Sequence, residues 1–254
     1  MAADAGPGEV ILRGRHAVLE ALKAGKRAIR QISMLEHGHG GVVDEIRQLA
    51  AARAVKIAVV PRAILDTLCR DQPHQGVVAF AEPLPELGLS DIVAVLKASV
   101  DPAFVVVLDE VKDPQNAGAI LRTAEAAGVH GVVVTAHRSA FAGEGVERAS
   151  AGATEHVPFV RVINLRAALE ELKEAGCWVV GADMEGAKPH TDADLVRPVA
   201  IVLGEEGKGL RELTKKTCDE LVRIPMRGQI ASLNVSAAAA ILCFEVIRQR
   251  GLVK

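Results

Sequence analysis

Short apolar runs alternate with amphipathic stretches along most of the chain. In the first third, three Val- and Ile-rich runs predict strands: IRQISML, VKIAVV and GVVAFA. Three stretches with helical spacing lie before and between them: HAVLEALKAG, VVDEIRQLAAARA and RAILDTLCR. The pattern predicts a small α/β domain over residues 1–82.

A break in this pattern follows. The segment EPLPELGLSD contains two prolines and a glycine, which predicts a linker over 83–100. A short helix, DIVAVLKASV, leads out of it.

A second alternation occupies residues 101–254. Its predicted strands are AFVVVLDE, GVVVTA, HVPFVRV, CWVVGAD, VAIVLGEE and ELVRIPM. Continuous apolar runs of this kind are typical of parallel strands buried on both faces. Because ligands of parallel sheets bind beyond the carboxyl ends of the strands, the residues just after each run are the candidate site.

Composition narrows the class of protein only slightly. Of 254 residues, half are apolar and about a quarter are charged, with a formal charge of −2, as in ordinary globular proteins. The four cysteines form no C-x-x-C pair, so we expect reduced thiols and no metal. The first residues lack a signal-peptide pattern and no apolar run reaches about 18 residues, which favours a cytoplasmic protein.

Three polar stretches follow predicted strands. In LDEVKDPQNAGAILRTAEAAGV, Asn116 stands at a helix start and Arg122 lies under two turns further on, so its side chain can reach back. The alternative makes Asn116 a plain N-cap and Arg122 a solvated residue. In IVLGEEGKGL, the glycines allow close approach of a ligand, while Glu205 and Glu206 suit a cation or a hydroxyl. The alternative is a turn with exposed acids.

The third stretch is IPMRGQIASLNVSAAAAILCFEVIR. We expect Ile224–Met226 to close a strand and Ser232 to cap the last helix, with Asn234 in its first turn. Ala237–Ala240 keep that helix thin, which suits close packing of another backbone or a second subunit. Gln229 has no assigned role.

Together the three stretches resemble the signature motifs of the SpoU-type RNA ribose 2′-O-methyltransferases, of the SPOUT class. The matching patterns are N-x-G-x-x-x-R, L-G-x-E-x-x-G-L and I-P-M-x-G followed by S-L-N-V-S. GRHAVLEAL and HQGVVA resemble the N-terminal substrate-binding domain of one subgroup, which is similar to ribosomal protein L30e.

The resemblance implies an α/β fold with a deep C-terminal trefoil knot, a homodimer, and S-adenosylmethionine (SAM) as methyl donor. The implied cofactor-binding residues are Thr135, Leu203, Gly204, Ile224, Met226, Ser232 and Leu233. The implied catalytic residues are Asn116, Arg122, Glu206, Ser232 and Asn234. In the family the match of Arg122 is proposed as a base or proton relay. Because a free guanidinium stays protonated, a phosphate clamp is an equally economical role, and both stay open.

The similar subgroup methylates a guanosine ribose of large-subunit 23S rRNA, so rRNA or a large-subunit precursor is the expected partner. Basic residues in the first 30 fit a phosphate footprint: Arg13, Arg15, His16, Lys23, Lys26, Arg27 and Arg30. Three alternatives stay open: a tRNA enzyme, an antibiotic-resistance rRNA enzyme, and a non-catalytic RNA-binding assembly factor.

Overall fold

The computed structural model describes residues 8–36, 40–70, 72–137, 139–140, 146, 149–229 and 232–251. The chain forms two compact units, one from Met1–Glu86 and Ala151–His156, the other from Leu87–Ser150 and Val157–Lys254. Within the described ranges, no helix is long and apolar enough to cross a membrane.

The first unit is built on a four-stranded sheet. Its strands are β1 (Val10–Arg13), β2 (Ile29–Met34), β3 (Lys56–Val59) and β4 (Val77–Ala81), in the order β1-β4-β2-β3. Its helices are α1 (Arg15–Ala24), α2 (Gly41–Ala52) and α3 (Arg62–Leu68). Strands β2 and β3 are parallel, and β4 is antiparallel to both of its neighbours. The pattern predicted three of these strands and missed β1.

A buried ion pair ties a distant segment into the first unit. The guanidinium of Arg27 donates to both carboxylate oxygens of Glu155, at 2.5 and 3.2 Å, and both side chains are almost fully buried. The predicted phosphate footprint is therefore wrong at Arg27, because a buried, paired guanidinium cannot reach a phosphate. Two more members are paired on the surface, Lys23 with Glu45 and Arg30 with Glu9.

The second unit is built on a seven-stranded sheet. Its strands are β5 (Phe104–Leu108), β6 (Gly131–Thr135), β7 (Phe159–Val162), β8 (Trp178–Ala182), β9 (Lys188–Pro189), β10 (Val199–Leu203) and β11 (Glu220–Arg223). Every pairing is parallel, in the order β7-β6-β5-β10-β8-β11-β9. These pairings confirm the predicted parallel α/β sheet, and β5, β6 and β10 are buried along their whole length, as the continuous apolar runs predicted.

Strand β11 is shorter than predicted. It ends at Arg223, so the expectation that Ile224–Met226 close the strand is wrong. Pro225 has no backbone N–H to donate to a neighbouring strand, which ends the ladder here. These residues instead form an open segment beyond the sheet.

The α-helices of this unit, within the described residues, are α4 (Leu89–Ala98), α5 (Pro114–Ala126), α6 (Leu165–Glu174), α7 (Glu212–Thr217) and α8 (Val235–Gln249). Helix α4 falls within the stretch predicted as a linker, yet its Ile92 and Leu96 are buried in the core of the second unit. Helix α8 packs against α5, and Ala239 is fully buried.

The strand order of the second sheet determines which of its loops lie next to each other. Strand β8 lies between β10 and β11, so the segments after Ala182, Leu203 and Arg223 emerge side by side at one edge of the sheet. The order cannot be read from the sequence, since these strands are not consecutive neighbours.

Candidate active site

Helix α5 starts two residues before Asn116. Asp113 is the N-cap, and its carboxylate accepts from the backbone N–H of Gln115 at 3.0 Å, with Pro114 as the first helical residue. The reading of Asn116 as the N-cap is therefore wrong. Asn116 is 7% exposed, and its amide remains available for other partners because Asp113 supplies the cap.

The glycine-rich stretch after β10 folds back on itself. The N–H of Gly209 donates to the carbonyl of Glu205 at 2.8 Å, and the two residues form an antiparallel bridge. A Cβ added to Gly204 would lie 2.2 Å from the backbone of Gly209, so only glycine permits this approach. The fold of this loop presents Glu205 and Glu206 beside the strand end.

The last helix is capped by Asn234 and not by Ser232, contrary to the prediction. The Asn234 side-chain oxygen accepts from the Ser236 backbone N–H at 2.8 Å. Asparagine caps a helix as well as serine does, and its amide nitrogen keeps two hydrogens for other acceptors.

Three segments meet through side-chain amides. The Asn116 amide nitrogen donates to Glu206 Oε2 at 3.0 Å, and that of Asn234 donates to Asn116 Oδ1 at 2.9 Å and to Glu206 Oε1 at 3.2 Å. We call Asn116, Glu206 and Asn234 the amide–carboxylate network. Both oxygens of Glu206 are held, while the side chain stays exposed to a ligand.

A cavity of about 120 Å³ lies beside this network, at the ends of β8, β10 and β11. Seven of the predicted site residues line it: Leu203, Gly204, Glu206, Ile224, Met226, Ser232 and Leu233. The sequence reading missed the residues that follow β8, Asp183 and Met184, because nothing in CWVVGAD distinguishes them from an ordinary loop.

Two predicted site residues lie apart. Arg122 is exposed on α5, and no described residue hydrogen-bonds to its guanidinium, so it lies outside the amide–carboxylate network. Thr135 ends β6, which β5 separates from β10, and it does not line the cavity. Its buried hydroxyl has no hydrogen-bond partner within the described part of the chain.

The acids beside the cavity differ in their partners. Glu205 pairs with Lys112 at 2.7 Å and with Lys208 at 3.3 Å, and the hydrogen bond from Lys112 is the main reason its pKa is lowered. Glu206 receives only neutral amide donors among the described residues. Glu206 is therefore the acid beside the cavity whose negative charge is not paired with a cation among the described residues.

A salt bridge positions the loop after β5. The fully buried carboxylate of Asp109 accepts from Arg211 Nε at 2.7 Å and from its backbone N–H at 3.2 Å. Arg211 also pairs with Glu110, whose φ of 61° is unusual for a residue with a side chain. The sequence motifs did not predict the Asp109–Arg211 pair. This pair links the segment before Asn116 to the segment after Glu206.

Comparison with known proteins identifies the family to which this chain belongs. The SpoU rRNA Methylase family model matches residues 103–244, and the model for RNA 2′-O ribose methyltransferase substrate binding matches residues 11–87. The chain belongs to the SpoU rRNA methylase family. It is a SAM-dependent RNA ribose 2′-O-methyltransferase.

Relatives match over nearly the full chain. The 23S rRNA (guanosine-2′-O-)-methyltransferase RlmB of Bordetella pertussis is 39% identical over 241 residues, 94% of this chain and 97% of the relative. A Bacillus subtilis protein, YacO, assigned to the TrmH family of tRNA/rRNA methyltransferases, is 40% identical over 93% of this chain and 94% of its own. The AdoMet complex of the SpoU methyltransferase AviRb from Streptomyces viridochromogenes superposes with a TM-score of 0.79 at 27% identity, covering 98% of this chain and 92% of AviRb.

The cavity suits SAM, which is a cation at its sulfur. Its lining combines apolar side chains and glycine backbone with carboxylates, and it includes no lysine or arginine among the described residues. No group of His, Cys, Asp and Glu in the described ranges could hold a metal ion.

Proposed function

We propose that this SpoU methylase transfers a methyl group from SAM to the ribose 2′-OH of a guanosine in 23S rRNA. The single observation that carries the site assignment is the amide–carboxylate network at the edge of the cavity. A polar acceptor held by two amides, beside a pocket for the methyl donor, is what alignment of a weak hydroxyl nucleophile requires. The substrate assignment is supported by the 39% identity to the RlmB relative.

In the proposed site, Leu203, Gly204, Ile224, Met226 and Leu233 bind the cofactor, with Ser232 at the boundary between cofactor and ribose. SAM supplies an electrophilic methyl group on a positively charged sulfur. Glu206 accepts the hydrogen bond of the 2′-OH, and Asn116 and Asn234 fix the carboxylate so that the oxygen lone pair is directed at the methyl carbon. With SAM bound, the methyl–sulfur bond would break as the C–O bond forms, S-adenosylhomocysteine would leave, and the 2′-OH proton would pass toward this carboxylate.

Arg122 has a different role in this proposal. Its exposed guanidinium, without a described partner, is free to clamp a phosphate beside the target ribose with two charge-assisted hydrogen bonds. Thr135 remains a cofactor-binding prediction supported only by its buried hydroxyl.

The first unit is proposed to capture the RNA. Residues 1–82 were predicted as the substrate-binding domain, similar to ribosomal protein L30e, and residues 101–254 as the methyltransferase domain. Exposed His16 and Lys26 and half-exposed Arg13 and Arg15 remain candidates for phosphate contacts, whereas buried Arg27 is not. The enzyme is proposed to act in the cytoplasm, where rRNA is assembled with protein.

The deep trefoil knot and the homodimer also belong to this proposal. Ile241 and Phe244 are 36% and 50% exposed on α8 and lie one turn apart, so they form an apolar strip on the face away from the core. A strip of this kind on the helix that carries Asn234 fits a dimer contact beside the active site.

The deciding experiment is transfer of tritiated methyl from SAM to protein-free large-subunit rRNA, with reverse transcription at low dNTP to map the product. One new stop at a guanosine supports the proposal. Incorporation into tRNA and not rRNA would overturn the substrate, and SAM binding with incorporation only into precursor particles would identify an assembly intermediate. Absence of SAM binding would overturn the catalytic role.

A further inference from the structure

Asp183 lies in the cofactor cavity, although no motif points to it. It follows β8 directly, and β8 lies between β10 and β11 in the sheet. Asp183 therefore emerges between the segments that begin at Gly204 and Ile224, and all three line the same cavity.

The side chain is held rigidly. Asp183 Oδ1 accepts from the backbone N–H of Glu185 at 3.0 Å, and Oδ2 pairs with Lys215 at 3.1 Å. The carboxylate is only 6% exposed. A Cβ added to Gly209 would lie 3.2 Å from Oδ2, and the φ of +69° at this glycine also disfavours a side chain. The absence of a side chain at Gly209 therefore leaves room for the Asp183 carboxylate in the cavity wall.

The remaining hydrogen-bonding capacity of Asp183 identifies the chemistry of its ligand. An ionised carboxylate has about four acceptor sites, and one on each oxygen is already used. Lys215 supplies a cation, and its pKa is raised chiefly by the hydrogen bond to Asp183. Neutral donors suit the two remaining sites better than a second cation, and adjacent ribose hydroxyls provide two such donors. Acidic side chains bind ribose hydroxyls of nucleotide cofactors in other folds.

We propose that Asp183 accepts hydrogen bonds from the ribose hydroxyls of the SAM nucleoside, with Lys215 holding the carboxylate in place. This rests on the proposed use of the cavity for SAM. It assigns recognition of the nucleoside to a residue outside the three motifs, whereas Glu206 serves the target ribose.

The test is equilibrium binding by calorimetry, with SAM and with 5′-methylthioadenosine as probes. Methylthioadenosine has both ribose hydroxyls but neither the sulfonium charge nor the amino acid. Asp183→Asn is expected to weaken both ligands equally, on the order of 10- to 100-fold. The matched control is Glu185→Gln, which removes the other carboxylate 3.2 Å from Lys215 but does not face the cavity. Its affinities are expected to stay within about twofold.

Two results would overturn the proposal. Weaker SAM binding with unchanged methylthioadenosine binding would assign Asp183 to the amino acid or the sulfonium, and unchanged binding of both would remove it from recognition. If Asp183→Asn fails to fold, the test is calorimetric binding of 2′-deoxy- and 3′-deoxy-methylthioadenosine to the unmodified protein. Binding at least about tenfold weaker for either supports the proposal, and unchanged binding for both contradicts it. Failure of the unmodified protein to bind SAM would instead contradict the proposed function.

Discussion

The side-chain amide of Asn234 donates to Oδ1 of Asn116 across 2.9 Å, although 118 residues separate the two along the chain. The same Asn234 side chain caps helix α8 through its oxygen. One residue therefore both starts the last helix and fixes a neighbour of Glu206. Cap and network can be separated by mutation because they use different atoms of the amide.

Asn234→Ser is expected to retain the cap and to lose the network, since serine offers an oxygen acceptor but no amide donor. Methyl transfer should fall on the order of 100-fold, as for a misplaced reacting group. The free energy of unfolding should change by less than about 0.5 kcal/mol, whereas Asn234→Ala should lose about 1 kcal/mol more. Urea denaturation and single-turnover methylation check this. A serine variant with full activity would refute the role of the amide donors.

Arg122→Ala is expected to abolish methylation while leaving SAM binding nearly intact, because the guanidinium lies outside the cavity lining. Loss of a phosphate clamp should lower the rate by at least about 100-fold, to the background of the assay. Calorimetry with SAM and methyl transfer to rRNA measure the two effects separately.

The control for this variant is Arg166→Ala, at another exposed arginine of the second unit, on α6. It should leave both quantities unchanged. Equal loss of SAM binding and methylation in Arg122→Ala would show that Arg122 acts on the fold of the site.

Gly204→Ala is expected to disrupt the cofactor cavity, because its Cβ would lie 2.2 Å from backbone atoms of Gly209 that cannot rotate away. The affinity for SAM should fall by about tenfold or more. Gly41→Ala is the control, since nothing lies within 4 Å of a Cβ there and the residue starts a helix. Unchanged SAM affinity in Gly204→Ala would contradict the tight approach of the two glycines.

Glu245 predicts a pH dependence of stability. Its pKa is lowered to about 2, first by the hydrogen bond from Arg248 and then by the one from Gln249. Because the folded pKa lies below the ordinary value of 4.5, the stabilisation is fully present above pH 4.5 and is lost as the pH falls toward 2. Glu245→Gln should cost about 1–3 kcal/mol at pH 7 and much less at low pH.

Urea unfolding at pH 7 and at pH 3 measures this difference. Glu212→Gln, at a side chain that is 81% exposed, should show no such trend. A cost for Glu245→Gln that is equal at both pH values would exclude the ion pair as its origin.

Phe244→Glu tests the proposed dimer. A charge at the centre of the apolar strip on α8 should convert a dimer to monomers, as measured by light scattering after gel filtration. Ile163→Glu places the same charge at an apolar residue that is 83% exposed and should leave the mass unchanged. A Phe244→Glu variant that remains dimeric would exclude this face of α8 as the contact.

Six strands of the second unit could be predicted because parallel strands buried on both faces leave continuous Val and Ile runs. Strand β9 was missed, because Lys188–Pro189 has two residues and no such run. Strand β1 of the first unit was not predicted, because VILR has only four residues and lacks a long Val and Ile run. The strand order β10-β8-β11 could not be predicted from the sequence, because pairing between distant strands leaves no local pattern. Asn116, Glu206 and Asn234 were singled out because each lies in a polar stretch after a predicted strand, and their assignment to one site came from the family motifs. Asp183 and the Asp109–Arg211 pair were missed, since one acid after a strand looks like any loop residue.

The three members of the amide–carboxylate network come from distant stretches of the chain, and the last of them to be synthesised is Asn234. During synthesis the site consequently stays incomplete until the start of α8 has emerged from the ribosome and docked on α5. A nascent chain or truncated product that stops before residue 234 therefore lacks the network, even with every strand in place. The sheet can therefore form before the site is completed, since strands β5 to β11 all lie before residue 234.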